Sequence, residues 1–261
     1  MTARTLTCQV VEVEDLTPDV FRVHLEGRAE AMAHAPGQYL EMQLDPATWV
    51  PFSIANAHDG DGRLELHIQH WPERSNSARL RELLVEARQL TLRLPGGDCV
   101  LDPDSTRPLL LLAAGTGFAQ MKAIVEAALH ADPEREIALW WAARERREFY
   151  LESLAREWAA QYPGVAFHGV SEQGMDDTFA AERIHGHVGR IDAALGEALD
   201  DVDVSGHDVY LSGSPGMVYA CVDVLASLGL EPSRVFSDVF AYAPREPLVP
   251  TLGSLVREKR A

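Results

Sequence analysis

Leu109-Leu110-Leu111-Leu112-Ala113-Ala114-Gly115-Thr116-Gly117-Phe118 is a short apolar run that stops on a glycine-bounded turn. A segment of helical period, Ala119 to His130, follows directly. A continuous apolar stretch this short, ended by glycine, reads as a strand covered on both faces that turns into a helix. The pattern recurs downstream. Ile137 to Ala143 is a second such strand, Phe149 to Gln161 a helix, and Val165-Ala166-Phe167-His168 a third strand. A helix around Gly189 to Leu199 precedes the strand Asp208 to Leu211 and the helix Gly216 to Leu228. Strands separated by helices of this length need crossover connections, so a doubly wound α/β domain with a parallel sheet is expected.

Upstream the period is two. Leu6 to Val13, Val20 to Leu25, Gln38 to Leu44, Leu64 to Gln69 and Gln89 to Leu94 alternate apolar and polar residues, with one helix, Asn76 to Ala87, between them. These short strands, set off by turns such as Thr17-Pro18-Asp19 and Pro95-Gly96-Gly97, suggest a small six-stranded antiparallel β-barrel. Asp102-Pro103-Asp104-Ser105-Thr106 is the linker. The expected organisation is a barrel over residues 1–102, an α/β domain over 107–242 and a tail over 243–261. Pro244, Pro247 and Pro250 break the tail, which reads as a surface segment with a short helix capped by Thr251. A flap over a ligand and a dimer contact are the alternatives.

Composition narrows the function. The 261 residues are 46% apolar and 24% charged, as in a globular protein with a substantial core. Lys and Arg number 23 against 40 Asp and Glu, a net charge of −17, which repels phosphate backbones and anionic lipid. Neither a nucleic-acid nor a membrane partner is expected. Cys8, Cys99 and Cys221 form no zinc, disulfide or iron–sulfur spacing, and residues 1–9 show no apolar leader. The longest apolar run falls far short of the ~20 residues that span a bilayer. These features point to a reducing, cytoplasmic setting.

Two strand-to-helix turns carry the chemistry. Gly115-Thr116-Gly117 offers close backbone approach and free N–H groups, but Gln120 stands where a dinucleotide fingerprint has its third glycine. No acid ends the next strand either, where Trp141-Ala142-Ala143-Arg144 stands. A structural turn and a nucleotide site therefore both remain open. In Ser212-Gly213-Ser214-Pro215-Gly216-Met217, Ser214 resembles a hydrolase elbow. No histidine follows it, and Pro215 has no N–H to offer an oxyanion, so that chemistry is excluded. His185 and His187 read as solvated loop residues, not metal ligands, and Trp140-Trp141 as packing. Arg144, Arg146 and Arg147 are either a solvated turn or a contact for a 2′-phosphate.

Taken in order, Pro51-Phe52-Ser53-Ile54-Ala55-Asn56, Gly115-Thr116-Gly117-Phe118, Ser212-Gly213-Ser214-Pro215-Gly216-Met217 and Phe236-Ser237-Asp238-Val239-Phe240 resemble the ferredoxin–NADP reductase superfamily. The resemblance spans about residues 5–242. It is nearest to bacterial NAD(P)H-flavin reductases and to oxygenase and deoxysugar-dehydratase reductase modules without their iron–sulfur domain. It implies a flavin-binding barrel followed by a pyridine-nucleotide domain, with FAD or FMN and NAD(P)H as cofactors. Phe52 and Ser53 match the aromatic and serine beside the flavin ring, Ser53 near N5, with Pro51 adjoining. The arginine that takes the flavin phosphate in the family is Val50 here. Ser75, Asn76 and Ser77 resemble a second phosphate contact, with Arg74 as a partial substitute, and His67-Ile68-Gln69 run beside the ribityl chain. Gly115, Thr116, Gly117 and Phe118 match the nucleotide turn. Gly213, Pro215 and Met217 match the family's second turn, whose cysteine is Ser212 here. Asp238 and Phe240 match the C-terminal acid and aromatic.

The resemblance implies hydride transfer from NAD(P)H to flavin, with Ser53, Asp238 and Ser212 as the catalytic residues. Free flavin and a separate electron-acceptor protein are the two expected partners. Without iron–sulfur cysteines, one-electron chemistry would fall to another protein or take place in solution. A flavin- or nucleotide-binding module without turnover is the alternative of another class, supported by Val50 and Ser212.

Overall fold

The computed structural model describes residues 2–71, 73 and 75–245, and of Ser75 and Asn76 only the backbone. Its first half contains strands β1 (Arg4–Thr17) and β2 (Val20–Glu26), the short helix α1 (Ala29–Met32), and strands β3 (Tyr39–Asp45), β4 (Thr48–Ser53) and β5 (Arg63–Gln69). Helix α2 (Ser75–Glu86) and strand β6 (Gln89–Gly96) follow. The strands pair antiparallel in the order β4-β3-β6-β1-β2-β5. A bridge between Ile54, just past β4, and Leu66 of β5 ties the two edge strands together and closes the sheet into a barrel. Alternation fills the interior: Leu40, Met42, Leu64, Leu66, Ile68, Leu92 and Leu94 are all essentially inaccessible. The residues between them on β5, Glu65 and His67, are also buried. The second half of the chain covers that outer face.

That half contains β7 (Leu109–Ala114), α3 (Phe118–Ala131), β8 (Ile137–Ala143), α4 (Glu152–Gln161), β9 (Val165–Ser171), β10 (Ala180–Ala181) and β11 (Ile184–Val188). Helix α5 (Ile191–Leu199), β12 (Asp208–Ser212), α6 (Pro215–Ser227), β13 (Val235–Phe236) and α7 (Val239–Tyr242) complete it. The sheet order is β10-β11-β9-β8-β7-β12-β13, parallel except between β10 and β11. Alternate residues of β7 belong to different cores. Leu109 and Leu111 pack with Phe118 and Trp158 on one face, Leu110 and Leu112 with Leu195 and Leu225 on the other. The sheet is doubly wound, as the all-apolar run requires.

One expectation is corrected. His185 and His187 lie on β11, which pairs with β9, not on a loop. The His187 ring stacks on Trp140 with centroids 4.7 Å apart, and His168 stacks on the same indole at 4.1 Å. Imidazoles flanked by a buried indole are packing groups, which the bare sequence hides. The proposed Thr251 cap and most of the tail lie outside the described residues.

Candidate active site

The chain leaves β7 toward β8 on one side and returns as β12 on the other. Open α/β sheets form a ligand crevice at such a reversal, outside the carboxyl ends of the strands. Here the crevice faces the barrel edge. A cleft of about 320 Å³ is lined by Pro51, Phe52 and Ser53 of β4, by Gln69 of β5, by the Gly115–Gly117 turn and by Ser212-Gly213-Ser214. Pro51, Phe52, Ser53, Ser212 and Gly213 also border a cleft of about 770 Å³ that Tyr39, Gly97, Asp238 and Phe240 help enclose. Gln69, Gly115 and Ser214 border a third, of about 500 Å³, at the start of α6. The shared walls make one continuous trough.

The turn in its middle is held from below. Trp141 donates its indole N–H to the Gly115 carbonyl at 3.0 Å and stacks on Phe118 at 3.8 Å. Gly115 has φ +54°, and nothing lies within 4 Å of where a Cβ would point, so its outer surface is free for a ligand. Gly117 has a different duty. A Cβ there would sit 2.2 Å from the Ser212 carbonyl, so only glycine lets this turn abut the end of β12. Ser214 caps α6, its Oγ accepting from the Met217 N–H at 3.3 Å, which agrees with excluding it as a nucleophile.

Asp238 stands at the wide end. Its Oδ2 accepts from Gln120 Nε2 at 2.9 Å and its Oδ1 from the Cys99 N–H at 3.4 Å. Burial raises its carboxyl above the ordinary range against those two donors. Gln120 also donates to the Gly37 carbonyl, so it ties α3 to the barrel and to the acid together. The residue that spoils the glycine fingerprint is therefore the one that holds Asp238.

A second cross-link lies under the trough. Lys122 Nζ donates to Glu65 Oε2 at 2.9 Å, Glu126 Oε1 at 2.8 Å and the Ala55 carbonyl at 3.2 Å. His67 donates from Nε2 to Glu65 Oε1 at 2.7 Å, and Tyr150 donates to His67 Nδ1 at 3.1 Å. Burial alone would raise the Glu65 carboxyl, but the His67 hydrogen bond and the Lys122 charge hold it at about 2. Burial keeps His67 neutral, below its ordinary value.

The comparisons with known proteins agree with this arrangement. Residues 7–100 match the model of an oxidoreductase FAD-binding domain and residues 111–223 that of an oxidoreductase NAD-binding domain. Reductase component 1 of the terephthalate 1,2-dioxygenase of Comamonas sp is 31% identical over 245 residues, covering 92% of this chain and 70% of that one. The chain belongs to this reductase family. The NAD(P)H-flavin reductase of Vibrio harveyi is 27% identical to it over 91% of the chain and 99% of its own length. An Amycolatopsis cytochrome P450 reductase superposes on the reductase with TM-score 0.76 and 28% identity, over 90% of this chain and 69% of that one. The protein is an oxidoreductase that moves electrons from NAD(P)H to flavin, using an FAD-binding and an NAD-binding domain. Among the described residues no helix is long and apolar enough to cross a membrane.

Of the residues singled out from sequence, Pro51, Phe52, Ser53, Gln69, Gly115, Thr116, Gly117, Ser212, Gly213, Met217, Asp238 and Phe240 line the trough. Others turn elsewhere. The Ile68 side chain fills the barrel, and Phe118 is fully buried on Trp141, leaving only their backbones to a ligand. His67 borders the trough, yet its imidazole is wholly committed to Glu65 and Tyr150. Ser77 Oγ accepts from the Trp71 N–H at 2.8 Å, a local cap, and Pro215 opens α6. Arg74 lies outside the described residues. Arg146 pairs with Glu152 and Asp176, and Arg147 with Glu145. Sequence reading missed Gln120, Lys122, Glu65 and Trp141. One signal was available: Lys122 is one of two lysines in the chain, set in an apolar helical segment.

The trough suits the two cofactors unequally. Phe52, Phe240, Tyr39 and Tyr242 offer aromatic walls to a planar ring, and Ser53, Thr116 and Ser212 offer hydroxyls. Among the described residues, the linings of the wide and middle clefts contain no lysine or arginine. Val50 packs against the barrel core.

Proposed function

We propose that this reductase transfers hydride from NAD(P)H to a flavin that it holds loosely and releases once reduced. One observation carries the reading: the trough offers aromatic walls and hydroxyls at its barrel end, while Val50, at the position where the resemblance calls for an arginine, is an apolar side chain packed on the barrel core. A flavin gripped mainly by its ring system exchanges readily, because the charge-assisted phosphate contact of an arginine, worth roughly 1.5–3 kcal/mol, is one that Val50 does not make. Bound flavin supplies the two-electron acceptor and the nicotinamide the hydride.

The side chains do the positioning. Phe52 would lie against the flavin ring and Ser53 would donate from Oγ to its edge. Ser212 and Asp238 would orient the nicotinamide, and the outer surface of Gly115 would admit its pyrophosphate side beside the start of α6. Asp238, raised by burial, is able to keep a proton on its carboxyl at a higher pH than an exposed aspartate. The three buried free thiols suit the reducing cytoplasm in which such a reductase would work. Free flavin is the preferred acceptor. A separate acceptor protein is the second reading, favoured by the similarity to oxygenase reductase components.

The test is a visible spectrum of desalted protein followed by an NAD(P)H oxidation assay. A colourless protein that oxidises NAD(P)H only when free flavin is added is the expected outcome. A yellow protein with about one flavin per chain, active only with a protein acceptor, would establish the second reading. Inertness with every flavin and nucleotide would leave a binding module.

A further inference from the structure

We propose that Lys122 and Tyr150 are positioning residues for the hydride transfer, which fix how far the β4 wall of the trough stands from the Gly115–Gly117 turn. On the placement given above, flavin lies against Phe52 and Ser53 and the nucleotide at the turn, and the inference rests on that reading. Lys122 and Tyr150 do not themselves line the trough. They act through what they hold.

Lys122 reaches out from α3, the helix that the turn leads into. Its ammonium has three hydrogens, and each finds an acceptor. Two of these are on the barrel, the Ala55 carbonyl at 3.2 Å and Glu65 Oε2 at 2.9 Å, and the third is Glu126 Oε1 on α3 itself at 2.8 Å. Ala55 is the second residue beyond Ser53, and its N–H donates to the Glu65 carbonyl at 2.7 Å. The stretch that carries Ser53 is thus gripped by the helix of the nucleotide turn. A second arm closes the loop. Tyr150 donates to His67 Nδ1, on the same strand as Glu65, and its ring stands edge-on to Trp141 at 5.0 Å. Trp141 in turn holds the Gly115 carbonyl. The turn is therefore tied to the barrel both through its helix and through its floor. A misplacement of about 1 Å between reacting groups can cost roughly a hundredfold in rate. Binding should suffer less, since each wall is built by its own domain.

The test is single-turnover reduction of FAD by NADH or NADPH, whichever the wild type uses faster. It is read beside titrations of FAD and of the oxidised nucleotide, and beside amide exchange of the flavin-free chain. Lys122→Gln should slow hydride transfer by roughly ten- to a hundredfold and speed exchange at Ile54 and Ala55, with both dissociation constants within about threefold of wild type. Tyr150→Phe keeps the buried ring and should slow transfer by about threefold or more, so it carries the test if Lys122→Gln does not fold. Glu126→Gln leaves both barrel contacts of Lys122 and should keep the wild-type rate. An unchanged rate in Lys122→Gln or Tyr150→Phe overturns the role of that residue. A slower rate matched by weaker binding, or an equal loss in Glu126→Gln, overturns positioning altogether. A wild type that reduces no flavin would overturn the hydride-transfer reading itself, a distinct result.

Discussion

Val50 is the residue on which flavin affinity turns. It sits two positions before Phe52 on β4, and both are half-buried against the barrel core. A Val50→Arg side chain can lie its stem along that apolar surface and keep its guanidinium outside. Flavin phosphates should then bind one to two decades more tightly, about 1.5–3 kcal/mol, in a fluorescence titration. An unchanged dissociation constant would remove the phosphate argument. Asp238 gives a different signature. Its carboxyl is raised by burial, so Asp238→Asn should abolish an ionisation above the ordinary aspartate range in the pH profile of hydride transfer. The single-turnover rate should fall by about tenfold or more. An unaltered rate and profile would exclude Asp238 from the site.

At the scale of elements, β5 and α3 are joined by the buried Glu65–Lys122 pair, which with His67, Tyr150 and Gln120 locks the barrel to the parallel sheet. Both partners are largely buried, their side chains 11% and 8% exposed. Lys122→Met leaves two carboxylates without their cation and should destabilise the chain by about 3–5 kcal/mol in denaturant unfolding. Replacing Glu65 and Lys122 together by apolar residues should cost less than the single change. If Lys122→Met alone unfolds at the wild-type midpoint, the cross-link is energetically silent. Such a pair could not be read from the sequence. Its members lie 57 positions apart, and although Lys122 stands out in an apolar helical segment, nothing in the sequence points to Glu65 as its partner. Five barrel strands and the β7 turn were legible because burial is written there as unbroken or alternating apolar residues, whereas β4, with no alternation of burial, was not. Strand β11 was not, since Ile184-His185-Gly186-His187-Val188 carries two imidazoles whose packing partner, Trp140, belongs to β8. The two-residue strand β13 and the single turn of α7 are too short to carry any period. The Phe52–Ser53 motif was legible because it is contiguous, whereas Gln120 read as a departure until its contact with Asp238 was seen.

For the whole molecule, the histidine stack should make stability fall with acid. His168 is held at about 3, chiefly by burial and then by the charges of His185 and His187. His187 is lowered for the same reasons, although Glu197 opposes the shift. His168 Nδ1 and His187 Nε2 lie 3.1 Å apart and share one hydrogen, so two charged rings cannot keep this contact. The sign follows directly. Below its ordinary value of 6.5, the unfolded chain takes a proton on His168 and the folded chain does not, so stability falls as pH falls. The contribution is intact above 6.5 and is lost progressively toward 3. From about pH 7.5 to about pH 5.5, His168 alone should remove roughly 1.4 kcal/mol, with His187 adding to it. Glu65, held low by His67 and Lys122 in spite of its burial, acts in the same sense, but only below its ordinary value of 4.5. The raised carboxyls of Glu126 and Asp238 act in the opposite sense. Denaturant unfolding across this range should therefore show a decline that His168→Phe flattens, because phenylalanine stacks on Trp140 without titrating. A variant that keeps the wild-type slope would assign the acid sensitivity to the carboxylates of this strongly acidic chain instead.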